Sequence, residues 1–396
     1  MKHRSAGPLG PLPKFLGQYV AAEGHIPDGI DLVPFFTPAG DKMWLVCDYA
    51  LARRVLTDKR FSRAEAVTAH APKLNDAQPV PNSMMSMDGA DHSRLRRVVT
   101  KAFTTGRTTA MAPAIERLAD RHLDAMEASG PGTDLIEGLA APLPLAVLCS
   151  LLGVPTEDST RFRDWVEVLF DISASTPQEK ARRRLELIDY MADLIDAKRR
   201  RPEDDLLTSM IEAHEQGELS MGELLTMGLT LLMAGYETVV GQLGLSVHAL
   251  LSDPAAYADL RDRPEELAPT VEELLRLTPS TPISFPRVAV EPVPLGSVTV
   301  QAGEGVIVSL LHGNRDGTTF TDPEGLDPQG HDAAHLTFGH GVHRCLGAPL
   351  ARLQVRIVLE RLVRRFPTLR LASGPEAVVW KDGLGTRGLS RLQVEW

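Results

Sequence analysis

The densest group of reactive side chains in the 396-residue sequence lies between positions 335 and 347: His335-Leu336-Thr337-Phe338-Gly339-His340-Gly341-Val342-His343-Arg344-Cys345-Leu346-Gly347. Glycines at 339, 341 and 347 open backbone conformations closed to other residues, so this is a tight, specified loop. It delivers Cys345 just ahead of a helix entered at Ala348-Pro349, whose dipole and free N–H groups favour a thiolate. A thiolate held there can be a nucleophile with His343 as base, a zinc ligand beside His335, His340 and His343, or the axial ligand of haem iron. The four candidate zinc ligands fall within eleven positions but lack the two-pair spacing of a structural zinc module. Cys47 and Cys149 sit in apolar stretches and read as small buried hydrophobes, and three widely separated cysteines make no disulfide framework.

A second group lies on a long helix. Ser220-Met221-Gly222-Glu223 fits a capping box, Leu219 and Leu224 are placed as a hydrophobic staple, and the run continues to Ser252 before Asp253-Pro254. Between Leu224 and Ser252 the only formal charge is Glu237. A mid-run carboxylate and acidic flanks argue against a membrane span, so a helix apolar all round must cross a protein core. Within Ala234-Gly235-Tyr236-Glu237-Thr238, a helix-interior glycine costs about 1 kcal/mol relative to alanine and signals close approach by another group. Thr238 has Ala234 four residues before it, which leaves space beside its hydroxyl for a diatomic ligand. Glu237 and Thr238 can hand protons inward. Alternatively, Thr238 only back-bonds to the helix and Glu237 is an internal ion-pair partner.

Phe338 to Gly347 resembles the cysteine-ligand loop of the cytochrome P450 superfamily of haem-thiolate monooxygenases. Ala234 to Thr238 is similar to that family's oxygen-activation segment, and Glu273-Leu274-Leu275-Arg276 resembles its Glu-x-x-Arg pair, whose spacing puts both charges on one helix face. The resemblance extends over nearly the whole chain. It implies a mainly α fold with a small β part (α-rich α+β), the triangular cytochrome P450 fold, formed by residues 1–396 as a single domain with one haem b buried between the long helix and the cysteine loop. Cys345 is then the iron ligand, with Phe338 beside the sulfur and Gly339 and Gly347 shaping the loop. Glu237 and Thr238 manage protons, and Ala234 and Gly235 leave room for oxygen. Propionate contacts are implied at His92, Arg96, Arg287 and His343, and a structural role for Glu273 and Arg276.

The implied reaction inserts one atom of O2 into a small organic molecule and releases the other as water, hydroxylating or epoxidising it with two electrons from a ferredoxin or flavodoxin and its reductase. Oxidative C–C or C–N coupling, or a non-enzymatic zinc- or haem-binding module, are the alternatives. Family topology implies substrate contacts in the loop from Val80 to Met87, including Met84 and Met85, and at Leu231, Leu232, Gly235 and Val239. Further contacts are implied at Pro282-Ile283-Ser284-Phe285 and Leu384-Gly385-Thr386. Apolar residues dominate this set, which suits a mainly apolar substrate. One departure stands out: Asp322 to Gly330 carries Leu326 and glycines at 325 and 330 where the family has an aromatic and arginines. His331 or Arg315 is expected to complete the Glu-Arg-Arg network instead.

The elements that must position these groups follow from pattern. Extended runs are expected at 32–36 and 43–47, and a helix at 48–57. From 88 to 215 the pattern is helical, with breaks at Gly106, Gly130-Pro131-Gly132, Gly153-Val154-Pro155, Thr176-Pro177 and Arg201-Pro202. Helices are expected at 265–277 and 349–365, three short strands within 285–311, and a closing strand over 390–396.

Composition bounds partners: 42 Lys+Arg against 52 Asp+Glu, a net charge of -10, argues against a general nucleic-acid binder. A local positive patch from Arg94, Arg97, Lys101, Arg344, Arg352, Arg356 and Arg364 could steer an acidic electron carrier, or these charges are merely scattered. No Gly-rich dinucleotide fingerprint follows a strand, so NAD(P)H is expected to be used upstream. The N-terminus has no apolar run of signal or anchor length, and a soluble, cytoplasmic monomer is expected.

Overall fold

Each element of the chain starts and stops where its caps and glycines dictate. The computed structural model describes residues 31–74, 83–155, 158, 161–165, 176–330, 333–374, 376–381 and 386–396. β1 (Leu32–Phe36) and β2 (Lys42–Val46) lead to α1 (Tyr49–Thr57), which begins at Asp48 because its carboxylate accepts the Leu51 N–H at 2.6 Å. β3 (Phe61–Ser62) follows, then α2 (Gly89–Thr100), α3 (Thr105–Ala110), α4 (Ala112–Ser129), β4 (Thr133–Asp134) and α5 (Pro142–Leu152). Next come α6 (Pro177–Arg200), α7 (Leu206–Glu215), α8 (Met221–Ser252), α9 (Pro254–Asp262) and α10 (Leu267–Leu277). The last part holds β5 (Arg287–Ala289), β6 (Val293–Leu295), β7 (Val298–Val300), β8 (Gly305–Val308), α11 (Leu310–Gly313) and α12 (Ala348–Arg365). β9 (Arg370–Leu371), β10 (Val378–Trp380) and β11 (Leu389–Glu395) close the chain.

These elements form two compact units. One takes the described residues up to 80 with Met85–Asp88 and Ser246–Ala348; the other takes Gly89–Leu245 and Pro349–Trp396. The first is organised by a five-stranded sheet in the order β1-β2-β8-β5-β3, with β1 and β2 antiparallel and β2 parallel to β8. Side chains alternate between two apolar clusters, as a pleated strand requires: Val306 and Val308 join Tyr49, Val55 and Phe320, whereas Ile307 joins Phe35, Met43 and Leu45. In the second unit the expected capping box is present. The Ser220 N–H donates to Glu223 Oε2 at 2.8 Å and the Glu223 N–H to Ser220 Oγ at 3.2 Å, with Leu219 and Leu224 both buried. α12 is fastened to α4 by Arg361, which meets Glu116 at 3.0 Å and Asp120 at 3.1 Å.

Two boundary expectations are corrected. Gly106 lies inside α3, because the Thr104 hydroxyl caps the helix just before it. The region 285–311 holds four strands, since Gly296 at φ 58 turns the chain between β6 and β7 and splits one expected run. Among the described residues α8 is the single helix long and apolar enough to cross a membrane, and half of its most apolar window is buried within the protein.

Candidate active site

The cysteine loop is built from backbone. The Gly339 N–H donates to the Leu336 carbonyl at 2.7 Å, Arg344 to Gly341 at 3.1 Å, and Cys345 to Phe338 at 2.8 Å. Gly339 and Gly341 take φ 67 and 73, and a Cβ at Gly341 would stand 2.6 Å from the Leu56 carbonyl oxygen at the end of α1. Cys345 forms no disulfide and is exposed, and a Cβ added at Gly347 would stand 4.0 Å from its sulfur. Cys47 and Cys149 are buried as expected, and burial pushes their thiols up to about 12 and about 11. The zinc alternative meets divergent side chains: His335 Nε2 lies 3.1 Å from Glu272, His340 accepts from Arg53 Nε at 3.4 Å, and His343 Nε2 lies 3.5 Å from Asp88. Among the described residues no three His, Cys, Asp or Glu side chains converge as a metal site.

Behind the loop lies a buried surplus of positive charge. Burial, with Arg287 nearby, pulls the Arg63 guanidinium down to about 9, and burial pulls Arg287 down to about 10 against the attraction of Asp88. Burial likewise lowers His343, although Asp88 opposes it. Burial alone would raise Asp88, but the His343 ring 3.5 Å away and hydrogen bonds from the Ala64 N–H and Ser62 Oγ hold it well below the usual carboxylate range. Among the described residues neither Arg63 nor Arg287 forms an ion pair, and Asp88, beside His343, attracts both only from beyond pairing distance. This donor set fits a group bearing two carboxylates, as haem does. Arg287 and His343 were expected here; Arg63 was not, and nothing distinguishes it in sequence from any arginine after a short strand.

The Glu273–Arg276 pair anchors the segment leading to the loop. Arg276 forks onto Glu273 through two 2.8 Å bonds and donates to the carbonyls of Asn314 at 2.9 Å, Pro323 at 2.7 Å and Gly325 at 2.9 Å. The Asp327 N–H completes the shell on Glu273 at 3.3 Å. Arg315 does not join this carboxylate. It pairs with Glu324 at 3.0 Å and donates to the Leu277 carbonyl, so backbone groups stand where a third side chain was expected. His331 lies outside the described residues. Asn314, which the sequence did not mark, ties the anchor to the loop: its amide donates to the Arg276 carbonyl at 3.0 Å and its oxygen accepts the Leu336 N–H at 2.6 Å.

On α8 both plain readings hold geometrically. Thr238 Oγ1 donates to the Ala234 carbonyl at 2.7 Å, and the buried Glu237 pairs with Lys381 at 2.7 Å. Ala234 and Thr238 face the open side of the helix. Gly235 does have a close neighbour: an added Cβ would come within 2.7 Å of Leu148 Cδ2, so this glycine makes room for the α5 leucine. Among the expected substrate contacts, Leu231 is partly exposed, whereas Leu232 is fully buried, some 200° around the helix from Ala234 at about 100° per residue. Val239 is also buried. Ile283 belongs to the cluster of Phe35, Met43 and Ile307, and its backbone bridges to Ser309; strand pairing takes it into the core. Ser284 Oγ accepts the Val308 N–H, while Phe285 is exposed with the Arg63 guanidinium 5.1 Å from its ring. Met84 is buried, and the Met85 carbonyl accepts from Arg63 Nε at 2.9 Å. Thr386 is half-buried, and Leu384 lies outside the described residues. On α2, His92 is buried and Arg96 half-buried. Arg94 is no free surface cation, since it meets Glu223 at 2.6 Å, and Arg356 and Arg364 share Glu360 at 3.5 and 3.7 Å.

The family model described as Cytochrome P450 matches residues 33–268 and 265–376. The chain belongs to the cytochrome P450 family. A Nocardicin C N-oxygenase from Nocardia uniformis subsp. tsuyamanensis is 42% identical over 361 residues, 91% of each chain. A Mycinamicin IV hydroxylase/epoxidase from Micromonospora griseorubida is 40% identical over the same share. The crystal structure of a cytochrome P450 with biaryl coupling reactivity superposes with a TM-score of 0.89 at 34% identity, covering 100% of this chain and 98% of that one. The fold is therefore the helix-rich cytochrome P450 fold, and the protein is a haem-thiolate monooxygenase that uses an organic substrate, O2 and electrons from a redox partner.

Proposed function

We propose that Cys345 would hold the iron of haem b through its thiolate and that the whole of residues 1–396 acts as one catalytic domain, a cytoplasmic monomer supplied by a ferredoxin or flavodoxin with its reductase. The observation that carries this is the backbone-built loop presenting an exposed Cys345 sulfur, while the other two cysteines are buried and inert. Bound there, the haem supplies two-electron activation of O2, with the thiolate favouring O–O cleavage. The residues around it have separable tasks. Arg287, His343 and the unforeseen Arg63 hold the propionates, and Asp88 orients His343. His92 and Arg96, four residues apart on α2, are the further propionate donors that the family resemblance implies. The Thr238 hydroxyl donates its hydrogen bond to the Ala234 carbonyl, and Glu237 takes up and passes on protons at its carboxylate. Glu273, Arg276 and Asn314 fix the approach to the loop.

The substrate is a mainly apolar small molecule of bacterial secondary metabolism, hydroxylated or epoxidised, as the names of the relatives suggest. Leu231, Phe285, Met85 and Thr386 are its candidate contacts; Leu232 and Ile283 serve the core. Likeness to a biaryl-coupling enzyme supports oxidative coupling as a second reading. The reduced protein under CO should show the thiolate-type Soret band, and Cys345→Ser should abolish it. A colourless protein, or an unchanged band in the variant, would overturn the assignment.

A further inference from the structure

Glu237 is 3% exposed, between the buried Tyr236 and Val240, and a carboxylate withdrawn from water needs a cation or hydrogen-bond donors beside it. Lys381 is that cation, with Nζ 2.7 Å from Glu237 Oε1 across 144 positions of sequence. How it gets there is legible in two glycines. The Lys381 N–H donates to the Gly388 carbonyl at 3.0 Å, which ties the end of β10 to the start of β11. Gly388 lies against α8 so closely that a Cβ on it would sit 3.3 Å from Gly241 Cα. Gly241 is one helical turn beyond Glu237, on the same face. The paired glycines thus seat Gly388, and the Lys381 backbone bonded to it, one turn from the carboxylate, within reach of the lysine side chain. The two ends of the pair differ in access: the Lys381 side chain is 22% exposed and that of Glu237 is 4% exposed.

We infer that Lys381 is the positioning residue for proton delivery: it keeps Glu237 aimed, and joins the buried carboxylate to solvent. The inference rests on the proton-managing role proposed for Glu237. A purely architectural pair would add stability and leave proton transfer untouched.

The test compares Lys381→Met, Lys381→Arg, Glu237→Gln and the Met/Gln double variant as haem-loaded proteins. O2 itself is the probe, consumed without substrate and driven by a plant-type ferredoxin, its reductase and NADPH. Lys381→Met should slow O2 consumption about tenfold and raise the solvent deuterium isotope effect. Lys381→Arg should recover most of the rate, and in the Glu237→Gln background the lysine change should add nothing. A denaturant unfolding cycle on wild type, Lys381→Met, Glu237→Gln and the double variant reads the pair without turnover. It should show a coupling of about tenfold in the unfolding constant, about 1.4 kcal/mol. Additive rate losses, an unchanged isotope effect, or no unfolding coupling would each overturn the inference. Gly388→Ala keeps both charges and should reproduce part of the Lys381→Met effect by pushing the connection off α8; full wild-type behaviour would count against it. Every variant is first checked for the thiolate-type CO band: its absence in wild type overturns the haem reading and this inference together, whereas its presence with no lysine effect overturns this inference alone.

Discussion

The cysteine loop and the 234–241 stretch of α8 hold reactive groups in opposite ways. The loop holds Cys345 with its own main chain, through three N–H···O bonds and two glycines at positive φ, one pressed on the Leu56 carbonyl. The helix segment is regular in backbone, and its chemistry is set by visitors: Leu148 over Gly235 and Lys381 on Glu237. A site made of main chain tolerates almost no local change, because neither partner can move aside. A site made of visiting side chains can be retuned from a distance.

Substitutions at each place can break or sharpen this contrast. The largest effect is expected at the anchor of the loop. Arg276→Met would leave Glu273 buried without its cation and release several carbonyls, a loss of about 3–5 kcal/mol read by chemical denaturation. A loss under 1 kcal/mol would mean the anchor is replaceable. Next, Gly341→Ala meets a main-chain oxygen at 2.6 Å, whereas Gly339→Ala has no neighbour closer than 4.0 Å. Both pay for positive φ, about 1–2 kcal/mol, so Gly341→Ala should lose more haem and stability than Gly339→Ala by a further margin of that order. Equal losses would show that α1 gives way. On the helix, Gly235→Ala meets only the tip of Leu148, and about 1 kcal/mol of helix propensity offsets the crowding. Its unfolding free energy should stay within about 1 kcal/mol of wild type; a larger loss would make the helix as unforgiving as the loop.

The smallest effect concerns acid. The Arg94 hydrogen bond, against burial and with help from Ser220, lowers Glu223 to about 2. A carboxyl depressed on folding stabilises above its ordinary range, and that support is lost as pH falls from about 4.5 towards about 2. Glu223→Gln should cost about 1 kcal/mol at neutral pH and flatten the stability curve across that acid window, measured by unfolding at each pH.

The same contrast explains what could be read from sequence. The loop was legible because its glycines and cysteine are contiguous and their constraint is local. The start of α8 was legible for the same reason: Ser220 and Glu223 are three positions apart. Lys381, Arg63 and Leu148 act from far away in the chain, and no local pattern announces a long-range partner. Gly235 announced that something lay close without saying what. Leu232 and Ile283 are apolar residues beside candidate substrate positions, and apolarity suits a pocket wall and a core equally; helix phase and strand pairing decided for the core. The missing meander arginine was visible, but its replacement by main-chain groups was not, since every residue carries them.

The unequal burial of the three thiols has a practical side. Cys47 and Cys149 are buried and resist ionisation, whereas Cys345 is exposed. A maleimide dye should therefore tag the pigment-free polypeptide at a single position, and iron bound to that sulfur should shield it. Fluorescence per molecule would then count empty chains in a preparation directly, without any turnover assay.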